Sequence, residues 1–264
     1  MSDTSIRFDD GAAYEHYMGV WSQLVGDRFL DWLQPSTQQR WVDVGCGNGA
    51  FTDLLMRRCA PASVLGVDPS PQQLAFAQTR FPGGTARFQQ GDAMALPLPD
   101  QSVDHAVMAL VIFFVPEPSR GVAEMARVVQ PGGRASAYGW DLMGGGFPWA
   151  AMQAGLPSVG RSPILPPSPH AANLDLLPAL WQEAGFVDVQ TQVLTVQRSF
   201  SSFEDYWRIA LMGPSVQASL ASLEAHEMEV LKRAVHGQFD NAQGPVTVTA
   251  RAHAVTGRKP QSSQ

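Results

Sequence analysis

The sequence predicts an α/β domain built on a doubly wound, mostly parallel sheet, and three observations predict it. Trp41–Phe51 reads as a buried strand running through a glycine turn into a helix. Strand-like and helix-like segments then alternate along the chain, which calls for parallel strands joined by right-handed crossovers. The longest apolar run, Ala106 to Val115, has the length of a strand and suits a sheet centre covered on both faces.

The elements follow in order. Residues 11–33 carry Leu24, Val25, Phe29, Leu30 and Leu33 near helical spacing, and Pro35 ends that helix. Strand 41–45 leads to helix 50–59 and strand 63–67. Pro71 opens a helix that runs to Arg80, since a proline in the first turn sacrifices no helical hydrogen bond. Strands 85–89 and 103–112 come next. Helix 118–129 places Val122, Met125 and Val129 on one face and is stopped by Pro131-Gly132-Gly133 before strand 134–140. Residues 141–170, with Gly144-Gly145-Gly146 and many prolines, predict a long irregular loop of the kind that carries function or is disordered. Helix 173–184, strand 186–196, a helical stretch 202–239 and a closing strand 246–257 complete the reading. Four parts are expected: an N-terminal helical cap (1–37), a core (38–199 and 241–258), an inserted helical lid (200–240) and a mobile tail (259–264).

Composition narrows the classes of function. The 264 residues are 45% hydrophobic with a net charge of −6, enough for one sizeable core. Lys232 and Lys259 are the only lysines and no basic run occurs, which disfavours a nucleic-acid substrate. The two cysteines, Cys46 and Cys59, cannot make a disulfide framework and are expected as reduced thiols in a cytoplasmic protein. The polar N-terminus predicts no targeting segment, and no apolar run is long enough to span a membrane.

The glycine turn carries the chemistry. Gly45, Gly47 and Gly49 form G-x-G-x-G, which lets a ligand approach bare backbone at a helix start. A dinucleotide fingerprint would place its third glycine where Ala50 stands. Asp43, just before the turn, would repel a pyrophosphate and attract an ammonium or sulfonium group. Taken alone, Asp68 could be a helix N-terminal carboxylate and Asp92 a turn aspartate.

Asp43-Val44-Gly45-Cys46-Gly47-Asn48-Gly49 resembles motif I of the class I S-adenosylmethionine-dependent methyltransferases. The segments Ser63–Ser70, Phe88–Ala93, Leu96–Asp104, Arg127–Gly133 and Ala184–Phe186 resemble the family's later motifs in the same order, over about residues 38–195. The resemblance implies a Rossmann-like, seven-stranded sheet whose last two strands form an antiparallel hairpin at one edge. It implies S-adenosyl-L-methionine as cofactor and S-adenosyl-L-homocysteine as product. On this likeness the turn at Asp43, Gly45, Cys46 and Gly47 holds the amino-acid part, and Asp68 takes the ribose hydroxyls. Asp92 and Ala93 meet the adenine, with Pro69 and Met94 as its walls. Gln73, Gly91, Ala109 and Leu110 complete the set, and Tyr14 or Tyr17, on a stripe with Met18 and Trp21, reaches the cofactor carboxylate.

The chemistry asks little of the protein, because a sulfonium methyl is already activated and transfer is a direct displacement. Candidate bases are His170, Asp141 and Glu117, with His226 and His236 in the presumed lid, and no metal is expected. Strand four ends in Phe113-Phe114-Val115-Pro116, without the histidines that relatives often carry near there. Phe113, Phe147, Trp149, Tyr206 and Trp207 are candidate substrate contacts and suggest a small hydrophobic or aromatic acceptor. The expected protein is a small-molecule methyltransferase, monomeric or homodimeric. A non-catalytic protein that binds the same cofactor, and a dinucleotide-dependent oxidoreductase, stay open as alternatives.

Overall fold

The computed structural model describes residues 15–240 and 242–261. A π-helical turn, Glu15–Gly19, leads into α1 (Val20–Leu33). There follow β1 (Arg40–Val44), α2 (Ala50–Cys59), β2 (Ser63–Asp68), α3 (Pro71–Arg80), β3 (Arg87–Gln90) and β4 (Val103–Ala109). Then come α4 (Pro118–Val128), β5 (Val129–Trp140), α5 (Ala150–Gly155), α6 (Leu177–Glu183) and β6 (Val187–Phe200). The chain closes with α7 (Phe203–Ala210), α8 (Pro214–Leu220), α9 (Ala225–Gly237) and β7 (Val246–Arg258).

The seven strands form one sheet in the order β3-β2-β1-β4-β5-β7-β6. β1 pairs in parallel with β2 on one side and β4 on the other, so the strand order reverses between β1 and β4. That reversal opens a crevice at the carboxyl ends of these strands, where open α/β sheets bind ligands. β7 runs antiparallel to both β5 and β6, so the fold class and the edge hairpin match the expectation.

Several boundaries move, each for a local reason. Strand four stops at Ala109 because Leu110 adopts φ 62°, and a 3-10 turn, Ile112–Phe114, replaces its predicted end. β5 begins at Val129, so Pro131-Gly132-Gly133 lies within the strand rather than before it. Gly132 N–H donates to Lys259 O and Lys259 N–H donates to Gly133 O, which carries the β5–β7 ladder through the glycines. The same contacts involve the first residue of the expected tail. Lys259 is pinned, its Nζ also donating to the carbonyls of Ala126 and Val129 at 2.7 and 2.8 Å.

The predicted irregular stretch 141–170 contains α5 and a 3-10 turn, Leu156–Val159. Gly155 explains why: a Cβ there would stand 2.5 Å from Val235 Cγ2, so α5 and α9 meet at bare backbone. The helical stretch 202–239 divides into three helices, broken at Gly213-Pro214, with α9 opening on a Glu224–Glu227 capping box.

The sheet interior holds one polar chain. His105 Nε2 and Ser136 Oγ lie 2.9 Å apart, and Ser136 Oγ donates to Thr256 Oγ1 at 2.8 Å. His105 is stacked on Trp41, and burial holds its imidazole down to about 3, so it stays neutral and ties three strands together.

Candidate functional site

The crevice between β1 and β4 opens into a cavity of about 820 Å³. Its floor is the glycine turn. Gly45 sits at φ 74°, and a Cβ there would lie 2.5 Å from Val111 Cγ1. Only glycine combines that backbone with that contact. Gly45→Ala is therefore expected to lose about 2–4 kcal/mol of stability from the left-handed backbone and the overpacking together, read as a lowered Tm. Gly47, by contrast, faces open space, its nearest neighbour for a Cβ being Gln73 Oε1 at 3.9 Å. The turn thus offers a ligand bare backbone.

Asp68, at the end of β2, holds that turn in place. Its Oδ2 accepts from Gly47 N–H at 2.9 Å and its Oδ1 from Ser70 N–H at 2.9 Å. Burial raises its pKa, against the lowering effect of those two hydrogen bonds. A carboxylate has about four acceptor positions, so roughly two remain for a pair of hydroxyls.

Two buried polar atoms at the turn lack a protein partner among the described residues. Asp43 Oδ2 accepts from Thr52 Oγ1 at 2.7 Å, but its Oδ1 is unpartnered. Asn48 Oδ1 accepts from Ala50 N–H, which fixes the amide orientation and leaves Asn48 Nδ2 as an unpartnered donor. Buried polar atoms are seldom left unsatisfied, and both of these residues line the cavity. Burial, partly offset by the Thr52 hydrogen bond, pushes Asp43 up to about 7. Cys46, packed over Gly66, is no nucleophile, because burial and the nearby carboxylates of Asp43 and Asp68 hold its thiol protonated.

On the far side of β2, Asp92 Oδ1 accepts from Met94 N–H at 2.8 Å, and Gly91 N–H donates to Asp68 O at 3.2 Å. Pro69, Gln73, Ala93 and Met94 join them on the cavity wall. The structure therefore brings to one cavity Asp43, Gly45, Cys46, Gly47, Asp68, Pro69, Gln73, Gly91, Asp92, Ala93, Ala109 and Leu110. Tyr14 lies outside the described residues.

Other expected site residues stand away from the cavity. Tyr17 is buried and stacked on Trp149 at 4.8 Å, because the space between α1 and the helices after β6 is filled by rings. Trp149 also packs on Tyr206 at 5.3 Å and donates to Met18 Sδ at 3.3 Å, while Trp207 lies beside Phe203. Phe113 turns toward Gly139 and Phe114, and Phe147 is half-buried against the core outside the cavity lining. These six pack in the protein interior and do not line the cavity. Of the candidate bases, Asp141 is held by Arg251 at 2.7 Å, and Glu117 is exposed beside Arg120. His170 is exposed and off the lining.

The opposite wall comes from residues that sequence reasoning missed. Ser22 and Gln23 of α1, Phe51 and Leu54 of α2, and Tyr138 of β5 line it, with Leu165-Pro166-Pro167 across the mouth. Gly26 lets α1 approach, since a Cβ there would lie 2.7 Å from Leu54 Cδ2 and 3.3 Å from the Tyr138 hydroxyl. Among the lining residues, Ser22 Oγ is a third buried polar atom without a partner.

Residues 42–137 match the family described as "Methyltransferase domain". An uncharacterized methyltransferase of Mycobacterium bovis is 38% identical over 105 residues, 40% of this chain and 41% of that protein. The chloroplastic 2-methyl-6-phytyl-1,4-hydroquinone methyltransferase of Spinacia oleracea is 40% identical over 122 residues, 46% of this chain and 36% of that protein. The chain thus spans about two fifths of the length of the curated relatives it matches. Phosphoethanolamine N-methyltransferase 2 of Haemonchus contortus, solved in complex with S-adenosyl-L-methionine, shares the fold. Its TM-score is 0.60 at 18% identity, covering 98% of this chain and 59% of that one. Residues 42–137 therefore match a methyltransferase domain, and the sheet order and glycine turn agree with that match.

Proposed function

We propose that this protein binds S-adenosyl-L-methionine in the β1–β4 crevice and transfers its methyl group to a small hydrophobic or aromatic acceptor. The observation that carries the reading is the pair of unpartnered buried atoms on one glycine turn, Asp43 Oδ1 and Asn48 Nδ2. An acceptor for a cation and a donor for an anion on one turn suit the zwitterionic end of that cofactor. The spare acceptor positions of Asp68 suit its ribose diol, and the Asp92–Ala93 turn suits its adenine. A dinucleotide fits less well, since its pyrophosphate would meet Asp43.

Bound there, the cofactor supplies an activated methyl group. The chain's own part is to orient and to exclude water. The turn and Asp68 fix one end of the cavity, while Phe51, Leu54, Phe114 and the 165–167 segment keep the other end apolar. His170, Asp141 and Glu117 lie off the cavity wall, so the reading assigns none of them a proton transfer. The core 38–199 and 241–258 carries most of the site, and Ser22 and Gln23 of the N-terminal cap complete its wall. The helical segment 200–240 acts through the Trp149–Tyr206 cluster, which braces the N-terminal cap, rather than by touching the acceptor. Among the described residues no helix is long and apolar enough to cross a membrane. The reading keeps a cytoplasmic protein with a small-molecule substrate, monomeric or homodimeric.

The test is transfer of a labelled methyl from S-adenosylmethionine to a panel of apolar hydroquinones, phenols and arylamines. Label in an organic extract, with matching S-adenosylhomocysteine, is expected. Tight cofactor binding with no transfer across the panel favours the non-catalytic binding protein instead.

A further inference from the structure

The cavity has two chemically different halves. The glycine-turn residues bring polar groups to the lining, whereas two apolar segments join it, Phe114-Val115-Pro116 and Leu165-Pro166-Pro167. These segments are fastened to each other. Ser168 N–H donates to Phe113 O at 3.0 Å, and Ser168 Oγ donates to Val115 O at 2.8 Å. Prolines restrict the loop's backbone, so the wall is set before an acceptor arrives. Leu165 is 43% exposed although it lines the cavity, an apolar surface left open at the entrance.

Charge points the same way. The carboxylates on the wall include Asp68 and Asp92, and among the described lining residues there is no lysine, arginine or histidine. An anionic acceptor would leave water for an apolar wall with no cation to receive it, which is costly. An uncharged apolar acceptor would gain from the same transfer.

We propose that the mouth of this cavity selects uncharged, apolar acceptors against anionic ones, with Leu165 on its Ser168-pinned loop as the specificity-determining residue. The proposal rests on the methyltransferase reading and refines its acceptor half.

The test uses full-length protein saturated with S-adenosylhomocysteine and two fluorescent probes. N-phenyl-1-naphthylamine is uncharged, and 8-anilino-1-naphthalenesulfonate is the same arylamine carrying a sulfonate. The uncharged probe is expected to bind at least tenfold more tightly. Leu165→Asp should weaken it at least fivefold while leaving S-adenosylhomocysteine affinity within twofold of wild type, which also shows that the variant is folded. Leu165→Arg should narrow the preference by improving sulfonate binding. Equal or tighter binding of the sulfonate probe by wild type, or an unchanged uncharged-probe affinity in Leu165→Asp, overturns the proposal. Failure of wild type to bind S-adenosylhomocysteine overturns the reading beneath it instead.

Discussion

Asp68→Ala is expected to weaken S-adenosylhomocysteine binding by roughly 100- to 10,000-fold, because two hydrogen bonds to a charged carboxylate contribute about 1.5–3 kcal/mol each. The loss has a second source. Asp68 also accepts from Gly47 N–H and Ser70 N–H, so its removal frees both the glycine turn and the turn after β2. Asp68→Asn separates the two effects. It keeps one acceptor oxygen but introduces a donor where the other amide points, and its affinity should fall between wild type and Asp68→Ala. Calorimetry gives the affinities, and Tm without ligand checks folding. An Asp68→Ala protein that folds and binds as tightly as wild type would remove this carboxylate from the site.

The second large effect is a pH dependence at Asp43. Its folded pKa is about 7, above the ordinary carboxylate value near 4, because burial disfavours the charge. Between about pH 4 and 7 the folded state therefore holds a proton that the unfolded state has released, and stability falls as pH rises through that window. Asp43→Asn lacks this titration while keeping an acceptor for Thr52. The Tm of Asp43→Asn minus that of wild type should become more positive from pH 5 to pH 8. Cofactor binding should respond in the opposite sense. A cation at Asp43 Oδ1 favours the ionised carboxylate, so wild-type affinity for S-adenosylhomocysteine should rise from pH 6 to pH 8. At pH 8 Asp43→Asn should bind about tenfold or more weakly, the loss of one charge-assisted hydrogen bond. A Tm difference that does not change with pH would show that Asp43 ionises in the folded protein as it does in water.

The glycine-turn half of the cavity was legible in the sequence because its geometry is local. Asp43, the glycines and Asn48 lie within one strand–turn–helix, and Asp68 and Asp92 each stand at the carboxyl end of a parallel strand, so naming the strands places them at one edge. The opposite wall of the cavity was not legible for the complementary reason. Ser22, Tyr138 and Leu165 come from three distant segments and meet through close approaches such as that at Gly26. Aromatic residues misled because a ring filling a core and a ring lining a cavity look alike in sequence. Trp149 and Tyr206 sit among other rings, fully buried. Pro131-Gly132-Gly133 shows a different limit: the run that reads as a break is carried into the sheet by the pairing of its glycines with Lys259, a partner far along the chain.

The central claim, a site built for an adenosyl amino acid rather than a dinucleotide, is tested most directly by calorimetric titration of the wild-type protein with S-adenosylhomocysteine and, in parallel, with NADH. Micromolar binding of S-adenosylhomocysteine with no heat from NADH is the predicted result. Binding of NADH in its place, or of neither, would contradict the account.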